Sequence, residues 1–249
     1  MLKSFGLTDK GKVRKDNQDC FILEICEARN CLIAALCDGM GGAKAGGIAS
    51  QLATKAFVSY VFTKLSSRRL RNVDIKRILE DACTEANGVS YEYSHFDDAF
   101  DGMGTTIVGG VIKNNGNGYI INVGDSRAYL ISRRANTIRQ ITRDHSLVGE
   151  LVAAGALTPE QARNHPKKNV LMRALGSEAR VECDYFTFTL QRKEVLLLCS
   201  DGLSNIVSDL EMLEYAKEYP EPEALCRALM SKALNRGARD NVTVVAVMR

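Results

Sequence analysis

The chain predicts an α+β fold: a sandwich of two antiparallel β-sheets flanked by α-helices. Runs of consecutive strand-like segments, many rich in β-branched residues and bounded by Gly, Asn or Asp, carry one half of that reading. Helical patterns grouped between those runs carry the other half. The stretch Asn114-Asn115-Gly116-Asn117-Gly118 reads as a hairpin turn joining two of the strands.

In chain order, strand-like runs cover residues 5–8, 20–25 and 31–37. A helix follows at 48–65, where Leu52, Ala56 and Tyr60, with Phe57 and Val61, recur at helical spacing. A second helix covers 73–93 through Ile75, Ile78, Leu79 and Ala82. Strands return at 106–112, 119–123, 127–131 and 137–141. A short helix opens at Thr158-Pro159-Glu160-Gln161, where Thr caps, Pro takes the first turn and Gln completes a capping box. It must stop before Pro166. Strands at 185–190 and 195–199 precede helices at 209–218 and 221–235, and a last strand covers 242–248.

The 249 residues show no internal repeat, low-complexity tract or Pro/Ser-rich linker, so one domain, 1–249, is expected. Thirty-three basic and 30 acidic residues give a net charge of +3, too near neutral for a nucleic-acid footprint. No apolar run approaches the roughly 18 residues of a membrane span, and the start, Met1-Leu2-Lys3-Ser4, has no signal-peptide core. A cytoplasmic protein is the expectation. The eight cysteines form no Cys-x-x-Cys, which argues against structural zinc. Cys31, Cys37 and Cys199 fall inside apolar runs, where reduced Cys behaves as a small hydrophobe.

One pattern points to chemistry. The run 32–37 leads into Asp38-Gly39, the run 119–123 into Gly124-Asp125, and the run 195–199 into Ser200-Asp201-Gly202; Asp240 precedes the run 242–248. A single Asp-Gly after a strand is usually just a turn. Four carboxylates at strand rims, mostly with no basic residue adjacent, suggest a cation site. None of His95, His145 and His165 adjoins these aspartates. All-oxygen ligands suit Mg²⁺, Mn²⁺ or Ca²⁺, and without an EF-hand loop the balance falls to Mg²⁺ or Mn²⁺. The chain has no Gly-x-Ser-x-Gly elbow, no NTPase phosphate loop and no Cys followed six positions later by Arg. Gly39-Met40-Gly41-Gly42-Ala43-Lys44 starts like a dinucleotide fingerprint but ends in Lys, where helix packing wants Gly or Ala.

Seven short motifs then occur in order: Val13-Arg14 with Asn17-Gln18-Asp19, Asp38-Gly39-Met40-Gly41-Gly42, Gly102-Met103-Gly104-Thr105-Thr106, Val123-Gly124-Asp125-Ser126-Arg127, Thr142-Arg143-Asp144-His145-Ser146, Ser200-Asp201-Gly202-Leu203 and Asp240-Asn241-Val242-Thr243. This set resembles the PPM family of metal-dependent protein serine/threonine phosphatases, the protein phosphatase 2C-like group, in its compact bacterial form. The resemblance runs from about Phe5 to Val247.

The resemblance implies a β-sandwich with a metal site at one end. Asp38 would bridge two Mn²⁺ or Mg²⁺ ions, the Gly39 carbonyl would bind one of them, and Asp201 and Asp240 would hold the other. Asp125 and Asp201 match a third-metal site, Arg14 the phosphate-binding arginine, and Asp19 and Asn241 the outer shell. Residues 147–176 match a flap beside the site. The implied reaction is attack on phosphorus by a hydroxide between the two metals, with no phosphoenzyme. The implied partners are phosphorylated proteins, among them a Ser/Thr protein kinase, and the implied state is a monomer. Gln18, Met40, Ala43 and Asn205 depart from residues common in relatives; none of them is a core ligand.

Overall fold

A computed structural model describes residues 1–41, 45–67, 74–96, 100 and 102–249. Gly42 of the second motif, Ala43 and Lys44 after it, and Val73 at the expected start of the second helix lie outside the described residues.

Two antiparallel sheets form the centre. One contains β1 (Lys3–Asp9), β11 (Val242–Met248), β10 (Glu194–Cys199), β7 (Arg127–Ser132) and β8 (Thr137–Gln140), side by side in that order. The other runs β2 (Asp19–Cys26), β3 (Cys31–Met40), β5 (Ile107–Lys113), β6 (Asn117–Val123) and β9 (Asp184–Thr189), and the two-residue β4 (Gly104–Thr105) pairs with the end of β3. The hairpin turn lies where expected but is tighter: residues 114–116 turn, Gly116 at φ +101°, and Asn117 already belongs to β6.

The period-two pleat sorts β3 between two cores. Leu32, Ala34 and Leu36 pack between the sheets with Val108, Ile120, Leu196, Leu198, Val245 and Val247. Ile33, Ala35 and Cys37 face the other way, under α1 (Ala45–Ser66) and α2 (Ile75–Ser94). On the opposite outer face, Tyr129, Val195, Leu197 and Val244 lie under α6 (Asp209–Glu218) and α7 (Pro222–Asn235). Central strands are therefore buried on both faces, which is why they read as continuous apolar runs and not as alternations. Fully burying each such aliphatic side chain contributes about 1.5–3 kcal/mol.

Three local readings need correction. The strand expected at 31–37 runs further: β3 continues through Asp38-Gly39 to Met40, where β4 supplies Gly39 and Met40 with the register partners Thr105 and Gly104. Asp201-Gly202, after the strand expected at 195–199, opens a one-turn helix that the sequence reading did not include, α5 (Asp201–Ser204). Residues 147–176 hold two helices and not one, since α3 (Leu147–Ala153), capped by the Ser146 hydroxyl on the Gly149 N–H, precedes α4 (Pro159–Arg163). The capping box at Thr158 and Gln161 forms as expected.

Candidate metal centre

The β2–β3 ladder sets Asp19 directly opposite Asp38. The backbone of Asp38 is pinned on its other side: its N–H donates to Thr106 Oγ1 (3.0 Å), and its carbonyl accepts from Thr106 N (2.9 Å) and Thr105 Oγ1 (2.9 Å). Asp19 Oδ2 accepts from Ser200 Oγ (2.8 Å) and Thr243 Oγ1 (2.6 Å), residues just before α5 and within β11, so one carboxylate joins the two sheets. Its Oδ1 is buried and has no hydrogen-bond partner among the described residues. Gly39 has no room for a side chain: a Cβ there would collide with the carbonyl of Gly46, where α1 crosses the strand.

The N-terminal loop is tied to the same end by Asn241. Its Oδ1 accepts from Gln18 N (2.8 Å), and its Nδ2 donates to the carbonyls of Lys10 (3.0 Å) and Asp16 (2.9 Å). Gly11, at φ +76°, allows the close approach: a Cβ would strike the carbonyls of Asp240 and Ala238. The loop so held presents Arg14, whose Nη2 donates to Asp240 Oδ2 at 2.9 Å. Asp240 Oδ1 accepts from the N–H of Asn241 (2.8 Å), and Asp201 Oδ2 accepts from Asn205 Nδ2 (3.0 Å).

Asp125 follows β6 on a turn that Gly124 makes at φ +102°. His145 braces that turn: its Nδ1 accepts from Gly124 N (3.3 Å), and its own N–H donates to the Gly124 carbonyl (2.9 Å). The imidazole Nε2 then faces Asp184 Oδ2 at 3.3 Å. Beneath the turn, Ser126 Oγ and Thr106 Oγ1 share a hydrogen bond of 2.7 Å, linking the Asp125 turn to the backbone that holds Asp38.

The residues expected at the site, Arg14, Asp19, Asp38, Gly39, Asp125, Asp201, Asp240 and Asn241, are thus brought to one end of the sandwich. Burial pushes the Asp38 carboxyl well above its ordinary range, and the charges of Asp19, Asp201, Asp125 and Asp240 push it further. Burial, then Asp201 and Asp144, raise Asp125 to about 8. Asp19 rises to about 6, chiefly by burial and against the pull of Thr243 and Ser200. Asp201 is raised by burial and then by Asp240. The pair with Asp240 holds Arg14 above its ordinary value.

Among the described residues, no group of three His, Cys, Asp or Glu side chains stands as a ready-made cage. The carboxylate oxygens gathered here suit ions such as Mg²⁺, which take one or two carboxylates each and keep several waters, better than zinc, which Cys and His usually hold. Crowded carboxylates, a buried carboxylate oxygen without a donor and an acceptor-only ligand set fit hard divalent cations.

The whole region from residue 10 to residue 237 matches the family model for protein phosphatase 2C. The chain belongs to that family. Similar proteins include the serine/threonine phosphatase stp of Listeria welshimeri, 39% identical over 243 residues, 97% of this chain and 94% of the relative. Among solved structures, the serine/threonine phosphatase Stp1 from Staphylococcus aureus superposes with a TM-score of 0.89 at 34% identity, covering 100% of this chain and 95% of that one. The catalytic domain of the serine/threonine protein phosphatase PstP, in complex with two manganese ions, has a TM-score of 0.84 at 33% identity, covering 99% and 97%.

In this phosphatase a cleft of about 610 Å³ opens beside Asp125 and Asp201, lined on the far side by Val148, Val152 and Lys168. Its floor holds an ion pair that no sequence reading assigned a role. Arg127 Nε reaches both oxygens of Asp144 (3.0 Å each), its Nη2 reaches Oδ2 (2.7 Å), and its Nη1 donates to Tyr129 Oη (3.0 Å). Arg127, Asp144 and His145 all lie in quoted motifs. Their roles depend on contacts between separate motifs, and neither residue type nor spacing reveals those.

Proposed function

We propose that this phosphatase hydrolyses phosphoserine and phosphothreonine on proteins with the help of two Mn²⁺ or Mg²⁺ ions. Asp38 and the Gly39 carbonyl, with Asp201 and Asp240, would hold them, and Asp125 with Asp201 would hold a third. The observation that carries this reading is the convergence of Asp19, Asp125, Asp201 and Asp240 on the Asp38 carboxylate, with the Arg14 guanidinium hydrogen-bonded to the edge of the cluster.

When bound, the ions supply a water of lowered pKa and fixed positive charge facing the phosphate. The other tasks fall to the chain. Arg14 is half-exposed, so its planar fork can take two phosphate oxygens while Asp240 holds its orientation. Asp19, locked by Ser200 and Thr243, offers an oriented acceptor to waters in the site. Asn241 keeps the Arg14 loop in register with Asp240. Thr105 and Thr106 keep the Asp38–Gly39 backbone from rotating away.

Residues 147–176 border the cleft and are read as a flap that shapes the approach of a protein substrate, within one catalytic domain spanning 1–249. The protein would act as a cytoplasmic monomer opposing a Ser/Thr protein kinase; no described helix is long and apolar enough to cross a membrane. The test is turnover of matched phosphothreonine, phosphoserine and phosphotyrosine peptides with Mn²⁺ and with chelator. Metal-dependent release of phosphate from the first two supports the proposal. Equal turnover in excess chelator, or preference for phosphotyrosine, rejects it.

A further inference from the structure

Two segments hold Asp125 between them: residues 124–128, which enter β7, and residues 141–146, which leave β8. Past the last β7–β8 pair, Tyr129 with Gln140, they run on side by side. Ile141 N donates to the Ala128 carbonyl (2.7 Å), and His145 N donates to the Gly124 carbonyl (2.9 Å). Continued from the ladder, this register sets Asp125 against Asp144 and Ser126 against Arg143. Antiparallel rungs fall at every second residue, so one is due between Ser126 and Arg143. Among the described residues no backbone hydrogen bond joins those two; the Arg143 carbonyl accepts from Asn122 Nδ2 instead (2.9 Å).

The Arg127 guanidinium spans that gap. Its Nε and Nη2 hold both oxygens of Asp144, its Nη1 reaches Tyr129 Oη, and Gln140 Nε2 donates to Asp144 Oδ1 at 2.8 Å. The two side chains are only 23% and 15% exposed. A buried ion pair is often no more stabilising than apolar side chains of similar volume, so stability alone does not account for it. Like charges opposite one another in a ladder repel. Arg127 neutralises Asp144 and so leaves Asp125 facing a compensated partner. His145 and Thr106 hold Gly124 and Ser126, and the fork holds residue 127, which braces Asp125 from both sides.

We propose that Arg127, fixed by Asp144, is a positioning residue for Asp125. The fork stands in for the missing rung and sets the Asp125 carboxylate where it can share a cation with Asp201, which lines the same cleft. This rests on the reading of Asp125 and Asp201 as ligands of a third ion. Lysine could not do the same: a point charge on a flexible stem does not engage two carboxylate oxygens and Tyr129 at once.

The experiment compares the wild type with Arg127→Lys, which keeps the charge without the fork, and with the double variant Arg127→Met/Asp144→Leu, which leaves neither charge unpaired. Hydrogen exchange of the metal-free protein reads the two segments. Peptides covering 122–128 and 141–146 should exchange faster in both variants, while those from β10 and β11 stay protected. Stepwise Mn²⁺ addition with a phosphothreonine peptide reads the ion site. Two ions should still bind tightly, and the Mn²⁺ needed for half-maximal turnover should rise by about 10–100-fold, the cost of losing an outer-shell partner. The peptide KM at saturating Mn²⁺ should stay near the wild-type value. In an Asp125→Asn background, Arg127→Lys should add no further loss, because both act through one carboxylate. Wild-type exchange and Mn²⁺ dependence in the double variant would overturn the proposal, as would an Arg127→Lys loss undiminished in Asp125→Asn. If Asp125→Asn alone keeps the wild-type Mn²⁺ dependence, the third-ion reading has failed and the proposal falls with it; if only the Arg127 variants keep it, the reading stands and the proposal alone fails.

Discussion

Asp19 and Asp38 are direct partners in the β2–β3 ladder, two carboxylates facing each other where the next pairs along the ladder, Cys20 with Cys37 and Phe21 with Leu36, carry no charge. Like charges opposite one another destabilise a ladder. Ser200 and Thr243 bond to one oxygen of Asp19 but neutralise nothing. A proton on the pair relieves the repulsion, in line with the raised carboxyls of both residues, and a bound cation of the kind proposed would do the same. Stability is given up here to keep an electronegative site.

That relation fixes the sign of the pH response. Asp19 in the fold lies near 6 and Asp125 near 8, against an ordinary 3.8. Both are raised, so their protonated forms favour the folded state at low pH, and that contribution is lost as pH climbs through 6 and then 8. His145 is lowered by burial and acts in the opposite sense only below its ordinary 6.5. The clean window is therefore pH 6.5–8. There the metal-free protein should lose melting temperature as pH rises, and Mn²⁺ should bind more tightly while releasing protons. Calorimetry in two buffers of different ionisation enthalpy reads the release; identical heats in both buffers would contradict it.

Arg14→Ala removes a charged two-pronged contact to phosphate while leaving the carboxylates in place. The expected loss is about 2–4 kcal/mol in kcat/KM, roughly 30- to 1,000-fold, with Mn²⁺ binding retained. Steady-state kinetics on a phosphothreonine peptide, beside a metal titration, measures both. An unchanged kcat/KM would remove Arg14 from the site.

Asn241→Ala tests whether the loop is held by one amide. It strands the Gln18 N–H and two carbonyls, and an unsatisfied buried group costs about 1–3 kcal/mol. Loss of an outer-shell residue is worth about 10–100-fold in activity or metal affinity. Thermal melts and kcat/KM should both fall. A variant with lower melting temperature but wild-type kcat/KM would confine Asn241 to stability.

Asp125→Asn keeps the shape of the turn and removes a charge. If Asp125 helps hold a third, weaker ion, the variant should stay folded, still bind two Mn²⁺ tightly and lose much of its turnover. If it only shapes the turn at Gly124, the melting temperature should drop slightly and turnover should stay. Wild-type kcat at limiting metal would exclude the third-ion role.

Much of this was legible in the sequence for a physical reason. Strands such as β10 and β11 are buried on both faces, so they are apolar almost throughout, and their ends are marked by the aspartates that follow or precede them. The capping box at Thr158 and Gln161 is local chemistry that needs no tertiary partner. What escaped depends on long-range contacts. That β3 runs on past residue 37 shows only when β4, from a distant part of the chain, pairs with Gly39 and Met40. The helix α3 is too short for periodicity to declare it, and Ser146 lacks a Glu or Gln three residues on. His145 adjoins none of the four strand-rim aspartates in sequence, yet it braces the Asp125 turn.

The most direct test of the central claim is stepwise return of Mn²⁺ to metal-stripped protein, with phosphate release from a phosphothreonine peptide and bound metal measured together, for the wild type and Asp38→Asn. The metal-centre account expects turnover to appear as about two ions bind per chain. It expects Asp38→Asn to lose at least about 100-fold, more than an outer-shell change costs, while melting higher than the wild type without metal. Full turnover before any metal is bound, or wild-type turnover in Asp38→Asn, would contradict it.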